Sequence, residues 1–259
     1  MPASRTATAR PTSGPTTGSS GSVAPQLALT AAAIAVVVAL VLWLPLGWPA
    51  LVVGLVVGAL VTWLLASRAE AAVLGLAGGR PVDDDVEARL VNVVEGLALT
   101  AGTPVPEIRI RDDRTLNAMV AGRAGSGAIV VTRGLLDALD RIELEGVVAH
   151  LLARLGSPEQ AAATVSVTTV GLPGFLRERL GGARGPGRGD PSVEDLVALD
   201  ARGVGLTRYP PGLLGALERA AEVGTEVSDV GPATARFWFA PTNGDPAGLE
   251  VRAAALRER

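Results

Sequence analysis

The chain of 259 residues contains no cysteine and no lysine, and its only histidine is His150. Without cysteine there can be no disulfide, no thiol nucleophile and no cysteine-bound metal. Without lysine, Schiff-base chemistry and serine–lysine dyads are excluded, because both need a primary amine. A metal site built on two imidazoles of this chain is excluded as well. These absences leave few catalytic mechanisms open to the protein.

Aromatic side chains and excess charge are also scarce. Aromatic residues make up 3% of the chain and the formal net charge is −3, with arginines scattered among the acidic residues. A nucleic-acid groove needs clustered basic side chains, and single-strand binding also needs aromatic side chains between them. We therefore expect no nucleic-acid partner.

His150 lies in a stretch with the frame of a zinc-peptidase helix. In the motif H-E-x-x-H, two imidazoles one turn apart bind Zn²⁺ and the glutamate acts as general base. Here Leu151 holds the glutamate position and Arg154 holds the second histidine position. One imidazole cannot supply the three or four donors that zinc needs, and a guanidinium would repel the dication. The stretch predicts a former metal site, with a hydrogen-bonded core role for His150 as the simpler alternative.

The N-terminal part of the chain divides by composition. Residues 1–23 are rich in Ser, Thr, Pro and Gly, which predicts a disordered tail. Two apolar runs follow, Leu27–Leu44 and Pro49–Ala66, each about 27 Å long as a helix. A buried hairpin in a soluble protein is the alternative, but the rest of the chain is too small and too polar to surround it. We predict a two-helix transmembrane hairpin over residues 24–67, with the lipid bilayer as its partner.

Charge around the hairpin predicts its orientation. The arginines nearest to it are Arg5, Arg10, Arg68 and Arg80, and all lie outside the short turn Pro45–Pro49. By the positive-inside rule, the tail and the large domain face the cytoplasm. The predicted location is therefore the cell membrane, with two passes.

Residues 68–259 read as one α+β domain with a small sheet. Hydrophobic periodicity and capping signals predict a helix over Val82–Thr100, strands over Val105–Arg111 and Ala128–Thr132, a site helix that begins at the capping box Asp140–Glu143, and later helices over Ser192–Gly203, Pro211–Val223 and Leu249 to the end.

The glycine-rich residues 181–191 lack the G-K-[ST] ending of a phosphate loop and predict a flexible surface loop. The uncharged run Ala161–Phe175 is short for a membrane span, so we expect it on the domain or at the membrane surface, with a third span as the alternative.

Several blocks of this domain resemble the HtpX-like membrane zinc metallopeptidases, relatives of the CAAX prenyl endopeptidases. The blocks are Arg111–Arg123, Ala128–Leu136, Leu139–His150, Leu206–Leu213 and Ala216–Glu218. The resemblance implies a zincin-like metallopeptidase-type domain and, for the family, a zinc cofactor. It also implies a third zinc ligand, a glutamate in an E-x-x-x-D pattern on a later helix. The matching positions hold Leu196 and Asp200, so the aspartate is present and the ligand is missing.

The resemblance and the altered positions together predict a pseudopeptidase, with no catalytic residue and no metal. The degenerate former site comprises His150, Leu151, Arg154, Leu196 and Asp200. We expect Arg154 to pair with a carboxylate, Asp200 first and Glu159 second, because a buried guanidinium without a partner is costly.

The predicted function is binding of a protein or peptide partner at the membrane. Family substrates are held as extended strands beside the site helix, and an extended peptide can add to a sheet edge through backbone hydrogen bonds. The predicted peptide-binding edge comprises Ala128, Ile129, Val130, Val131 and Thr132. Two alternatives remain: an active membrane metalloendopeptidase with unconventional ligands, and a purely structural membrane component.

Overall fold

A computed structural model describes residues 23–169, 191–228, 230 and 232–259. The helices are α1 (Val23–Leu46), α2 (Pro49–Ser67), α3 (Ala69–Ala77), α4 (Ala88–Ala101), α5 (Arg133–Ala138), α6 (Arg141–Leu155), α7 (Pro158–Thr169), α8 (Val193–Thr207), α9 (Pro210–Val223), α10 (Pro232–Ala235) and α11 (Ala247–Arg257). The strands are β1 (Arg80–Pro81), β2 (Glu107–Arg111), β3 (Ala118–Ala121) and β4 (Ala128–Thr132). Except for their last residue, the predicted tail of residues 1–23 and loop of residues 181–191 lie outside the described residues.

The two apolar helices α1 and α2 pack against each other in opposite directions. A Cβ atom on Gly58 would lie 2.6 Å from the carbonyl oxygen of Ala31, and one on Gly54 would lie 2.6 Å from that of Ala35. Glycine at these positions therefore lets the two backbones touch. Among the described residues, one helix, Pro49–Ser67, is long and apolar enough to cross a membrane, with a mean hydropathy of 2.3. The apolar stretch Leu27–Trp43 of α1 is shorter.

The sheet has the strand order β1-β2-β4-β3, in which β2 and β4 are parallel and the other pairs antiparallel. Strand β4 is therefore an inner strand, paired along both sides, and all its residues are buried. The prediction of a peptide-binding edge at Ala128–Thr132 is wrong. An almost wholly apolar strand is typical of a strand covered on both faces, and that pattern carried no information about an edge. The terminal strand beside it is β3, which the periodicity did not predict.

Both faces of the sheet are covered. Ile129 and Val131 point into the larger core, which α4, α6, α9 and α11 complete. Ala128 and Val130 point to the opposite side, into a smaller cluster with Val73 of α3 and with residues 237–238. The site helix α6 thus lies within the larger core, and its predicted capping box between Asp140 and Glu143 is present.

Two glycines bring the later helices onto α6. A Cβ on Gly203 of α8 would lie 2.8 Å from the backbone nitrogen of His150, and one on Gly146 of α6 would lie 2.5 Å from that of Leu213 in α9. Because Asp200 lies one turn before Gly203, this close contact of α8 with α6 brings its carboxylate to His150.

Element boundaries differ from the predictions at one informative place. Helix α4 begins at Ala88 rather than at Val82, because Asp83 begins a turn and Glu87 accepts hydrogen bonds from the Asp83 amide and the Arg80 side chain. Val86, predicted on the buried face, is consequently 68% exposed. The run Ala161–Phe175 is helical up to Thr169, the last residue of α7, and residues 170–175 lie outside the described residues. Helix α7 packs against α1, α2 and α3.

Candidate functional site

His150 lies on the buried face of α6, and its side chain is fully buried. Its Nδ1 atom lies 2.7 Å from Oδ1 of Asp200. Burial lowers the pKa of His150 to about 4, although the carboxylate of Asp200 acts in the opposite direction. The imidazole is therefore neutral at pH 7, with its proton on Nδ1, and its Nε2 atom makes no hydrogen bond to any described residue.

Asp200 also binds Arg252 of α11. Two nitrogens of the guanidinium, Nε and Nη2, each lie 2.8 Å from a different oxygen of the carboxylate, and both side chains are 1% exposed. Burial acts to raise the pKa of Asp200, but the hydrogen bonds and charge of Arg252, aided by His150, hold it well below its ordinary value. The carboxylate is therefore ionised, and both of its oxygens are bonded to His150 or Arg252.

Sequence reasoning missed Arg252 as a site residue. The signal was available, because Arg252 stands in the apolar stripe of the last helix with Leu249, Ala253 and Leu256 at spacings of three and four residues. An arginine in such a stripe must find a buried acceptor.

Arg154, at the position of the second zinc-binding histidine, is 4% exposed. Its Nε donates to the side-chain oxygen of Gln160 at 3.0 Å, its Nη1 to the carbonyl oxygen of Trp238 at 2.9 Å, and its Nη2 to the carbonyl oxygen of Arg236. Burial, together with the charge of nearby Arg252, lowers the pKa of Arg154 to about 10. The guanidinium stays protonated, and all three of these acceptors are neutral.

The predicted pairing of Arg154 with Asp200 is therefore wrong. The pairing with Glu159, which was the second choice, is also wrong. The oxygens of Asp200 are taken by His150 and Arg252. Glu159 is exposed, whereas its neighbour Gln160 faces inward on the first turns of α7. Sequence spacing located the helix but could not decide which of its adjacent residues faces Arg154.

The two leucines of the former site differ in their surroundings. Leu151 is fully buried in the larger core. Leu196 is half-buried on α8, one turn before Asp200. The structure thus brings His150 and Asp200 into contact, a pairing that was not predicted. The positions that the resemblance gives to the general base and the third ligand carry alkyl side chains without any donor atom.

These residues do not fit zinc. The contact of Nδ1 with a carboxylate is the usual orientation of a metal-binding histidine, with Nε2 left for the ion. However, no group of three or more His, Cys, Asp or Glu side chains within the described part of the chain could hold a metal. Arg154 supplies a positive charge in place of a ligand, so the remaining donor set is a single imidazole.

Two surface grooves lie away from this centre. One, of about 370 Å³, is bordered by Leu217 and Glu218 of α9 and by Leu249 and Arg257 of α11. The other, of about 390 Å³, is lined by Arg114, Arg133, Gly134, Asp137, Ala138 and Val223. Neither contains a residue of the former site.

Comparison with known proteins shows what the sequence is similar to. Residues 84–166 match the family model described as peptidase family M48. A protease HtpX homolog of Dictyoglomus thermophilum is 33% identical over 192 residues, which cover 62% of this chain and 63% of that protein. For the protease HtpX homolog of Dictyoglomus turgidum, the identity is 32% over 186 residues, 60% of this chain and 61% of that protein. A third protease HtpX homolog, from Caldanaerobacter subterraneus subsp. tengcongensis, is 27% identical over 236 residues, 77% of this chain and 79% of its own length.

The chain spans less than two thirds of the length of the two Dictyoglomus relatives. No solved structure matches it. The matched residues 84–166 include strands β2 to β4 and the whole of α6, the elements that position His150 and Arg154. Over these elements the chain is therefore similar to peptidase family M48 and to the HtpX homologs.

Proposed function

We propose that this protein is a membrane-anchored, catalytically inactive member of its family that acts by binding a protein partner. The observation that carries the proposal is the state of Arg154. A guanidinium at the second ligand position, bonded to two carbonyl oxygens and an amide oxygen, both removes a zinc donor and repels a dication. The buried alkyl side chain of Leu151 at the position of the general base supports the same conclusion.

A metal measurement tests the loss of activity. We expect the full chain, purified in detergent, to retain less than about one-tenth of an equivalent of zinc after dialysis, because one imidazole cannot hold the ion. It should also fail to cleave casein. The protease HtpX homolog of Dictyoglomus thermophilum, prepared in parallel, is the positive control. Near-stoichiometric zinc in this chain would overturn the proposal and favour the active metalloendopeptidase with unconventional ligands.

The membrane anchor of the proposal is the two-helix hairpin of α1 and α2. Its support is the apolar helix Pro49–Ser67, the close packing of α1 onto it, and the arginines Arg68 and Arg80 on the side of the large domain. The absence of cysteine from the chain allows a direct test of orientation with single introduced cysteines.

In intact cells, a membrane-impermeant maleimide should label Trp48→Cys, in the turn between the helices, without permeabilisation. Glu194→Cys, on the exposed face of α8, should be labelled only after permeabilisation. The reverse pattern would place the large domain outside the cell, and labelling of both or of neither in intact cells would contradict a hairpin with both ends inside.

A purely structural membrane role is the second candidate. The complete burial of His150 and the inner position of β4 favour it, because neither offers a partner a surface in this conformation. Cross-linking of the full chain in its own membrane separates the two roles. A protein partner predicts a defined cross-linked species that survives purification, whereas the structural role predicts none.

A further inference from the structure

The described sheet ends at β1 on one side and at β3 on the other. Strand β1 has two residues and β3 has four, so β3 is the longer terminal strand, and its outer edge is the one available for strand addition. The backbone groups on this edge belong to Ala118, Val120 and Gly122. The amide of Phe239 donates to the carbonyl oxygen of Ala118 at 2.6 Å, and the amide of Val120 donates to that of Phe237 at 3.2 Å. A segment of the same chain therefore pairs with β3 in the antiparallel manner that an extended peptide would use.

The rest of this edge is covered by side chains of α7 and by Asn117, the residue before β3. The carbonyl oxygen of Val120 accepts from Nε2 of Gln160 at 2.9 Å, and the amide of Gly122 donates to Oγ1 of Thr164 at 3.0 Å. Oδ1 of Asn117 accepts from the amides of Ala118 and Ala240, at 3.0 and 3.1 Å. From Ala118 to the amide of Gly122, the outward backbone groups of β3 are thus already bonded within the chain.

Two arginines hold the covering segment from its other side. Arg154 donates to the carbonyl oxygens of Arg236 and Trp238, and Arg252 donates to that of Phe239 at 2.7 Å. Three carbonyl groups of the segment thus accept hydrogen bonds from these two guanidinium groups.

The side chains of the segment fill the space beside the former site. Phe237 and Phe239 are both fully buried. The ring of Phe239 meets the imidazole of His150 edge-on, at 5.2 Å between centroids, and Arg252 lies 4.6 Å from the centre of the same ring. An aromatic residue of the chain itself therefore occupies the place next to His150.

From these contacts we infer that residues 236–240 are a built-in occupant of the β3 edge, and that an extended partner peptide pairs with this edge only by displacing them. Arg154 retains the segment together with Arg252, and it does so from the position where the family has its second zinc-binding histidine. The inference deepens the proposed function by naming the edge and its competitor, and the closing experiment does not depend on zinc or proteolysis. A competing peptide must resemble the segment, with an aromatic side chain to replace Phe239 beside His150.

Hydrogen exchange of the full chain in detergent tests the retention. In Arg154→Met, the amides of Val120, Phe237 and Phe239 should exchange at least about tenfold faster than in the wild type, because the carbonyl groups of the segment lose charged donors. Exchange in β2 and β4 should not change. Arg219→Met is the matched control: Arg219 also contacts α6, through Glu143, but does not contact the segment.

A labelled synthetic peptide with the sequence of residues 234–242 tests the displacement by fluorescence anisotropy. It should bind Arg154→Met at least about tenfold more tightly than it binds the wild type or Arg219→Met, since opening of the edge limits the apparent affinity. A scrambled peptide should not distinguish the three proteins. If Arg154→Met does not fold, Gln160→Leu, which uncovers the carbonyl oxygen of Val120 and leaves Arg154 in place, should show both effects in the same direction.

Equal exchange at Val120, Phe237 and Phe239 in the variant and the wild type would overturn the inference. So would acceleration throughout the domain, or equal peptide binding by all the proteins. Each of these results would leave the proposed loss of zinc and of proteolysis standing, because neither rests on the segment. Conversely, zinc binding by the wild type would not change the expected exchange.

Discussion

Two arginines that contact the same short segment have very different surroundings. Arg252 binds the ionised carboxylate of Asp200 with two hydrogen bonds, and the same carboxylate holds His150. Arg154 is as deeply buried, yet its described acceptors are two carbonyl oxygens and the side chain of Gln160. The first is a neutralised ion pair, whereas the second is a buried cation held by dipoles alone.

Under the proposed loss of the metal site, the difference separates what that site would have retained from what it would have replaced. The aspartate that the family pattern implies still positions the one remaining imidazole. The position of the second imidazole carries a cation that binds backbone rather than metal. Removal of either partner from a buried ion pair is strongly destabilising, because the remaining charge is left buried and unpaired. A cation held by dipoles depends instead on the placement of a backbone segment, which can move.

The largest effect is expected on the ion-pair side of this comparison. Asp200→Ala should lower the free energy of unfolding by about 3–5 kcal/mol, because it strands the guanidinium of Arg252 in the core. In a double-mutant cycle, Asp200→Ala and Arg252→Met should show strong coupling, and Asp200→Ala with Arg154→Met much weaker coupling. Chemical denaturation in detergent measures both cycles.

Asp195→Ala, an exposed capping residue on the same helix, controls for general damage to α8 and should cost only about 1 kcal/mol. Coupling of Asp200 with Arg154 as strong as that with Arg252 would show that the two arginines share one carboxylate and that the contrast between them is false.

Acidification should lower the free energy of unfolding through His150, which shares the carboxylate of Asp200 with Arg252. The pKa of His150 is about 4 in the folded protein, against an ordinary value of 6.5. Between these values the unfolded chain binds a proton that the folded protein does not, so stability falls as the pH is lowered from 6.5 to 4, by up to about 3 kcal/mol. Above pH 6.5 the contribution is fully present. The lowered pKa of Asp200 adds a further loss only below about pH 4.

Urea denaturation across this range, compared with His150→Gln, isolates the contribution of the imidazole. The variant should lack the part of the pH dependence between 6.5 and 4, while the other carboxylates titrate alike in both proteins. A wild-type stability that rises on acidification, relative to the variant, would mean that Asp200 stabilises an imidazolium and that burial does not dominate.

The smallest loss of stability is expected for a substitution among the neutral partners of Arg154. Gln160→Leu removes the acceptor of its Nε and the donor to the carbonyl oxygen of Val120, so it should cost about 1–3 kcal/mol. The neighbouring exposed residue is the matched control, and Glu159→Leu should change stability by less than about 0.5 kcal/mol. Thermal melts of the two variants in detergent make the comparison. A larger loss of stability for Glu159→Leu than for Gln160→Leu would support Glu159 as the carboxylate partner of Arg154.

Much of the local structure was predictable from the sequence, for identifiable reasons. Strand β4 was predicted at its observed boundaries, because four consecutive β-branched residues follow Ala128 and precede the turn residue Gly134. The start of α6 was predicted from the capping box of Asp140 and Glu143, which is a local interaction. In contrast, β3 was missed, since a strand of four residues that includes two alanines has neither length nor β-propensity to mark it.

The sequence alone determined which functional groups exist at the former site: one imidazole, no thiolate, a guanidinium at the second ligand position and leucines at two others. These are properties of residue type and helical spacing, which a sequence states directly. Only the tertiary structure decided that β4 is an inner strand, that Asp200 is taken by Arg252, and that Arg154 binds the segment over β3. Those side-chain partners are between 52 and 84 residues apart along the chain, and the place of β4 depends on strand order. Local periodicity contains no information about such distances, so the choice between a carboxylate, a carbonyl oxygen and an open edge is made only when the helices and the sheet pack together.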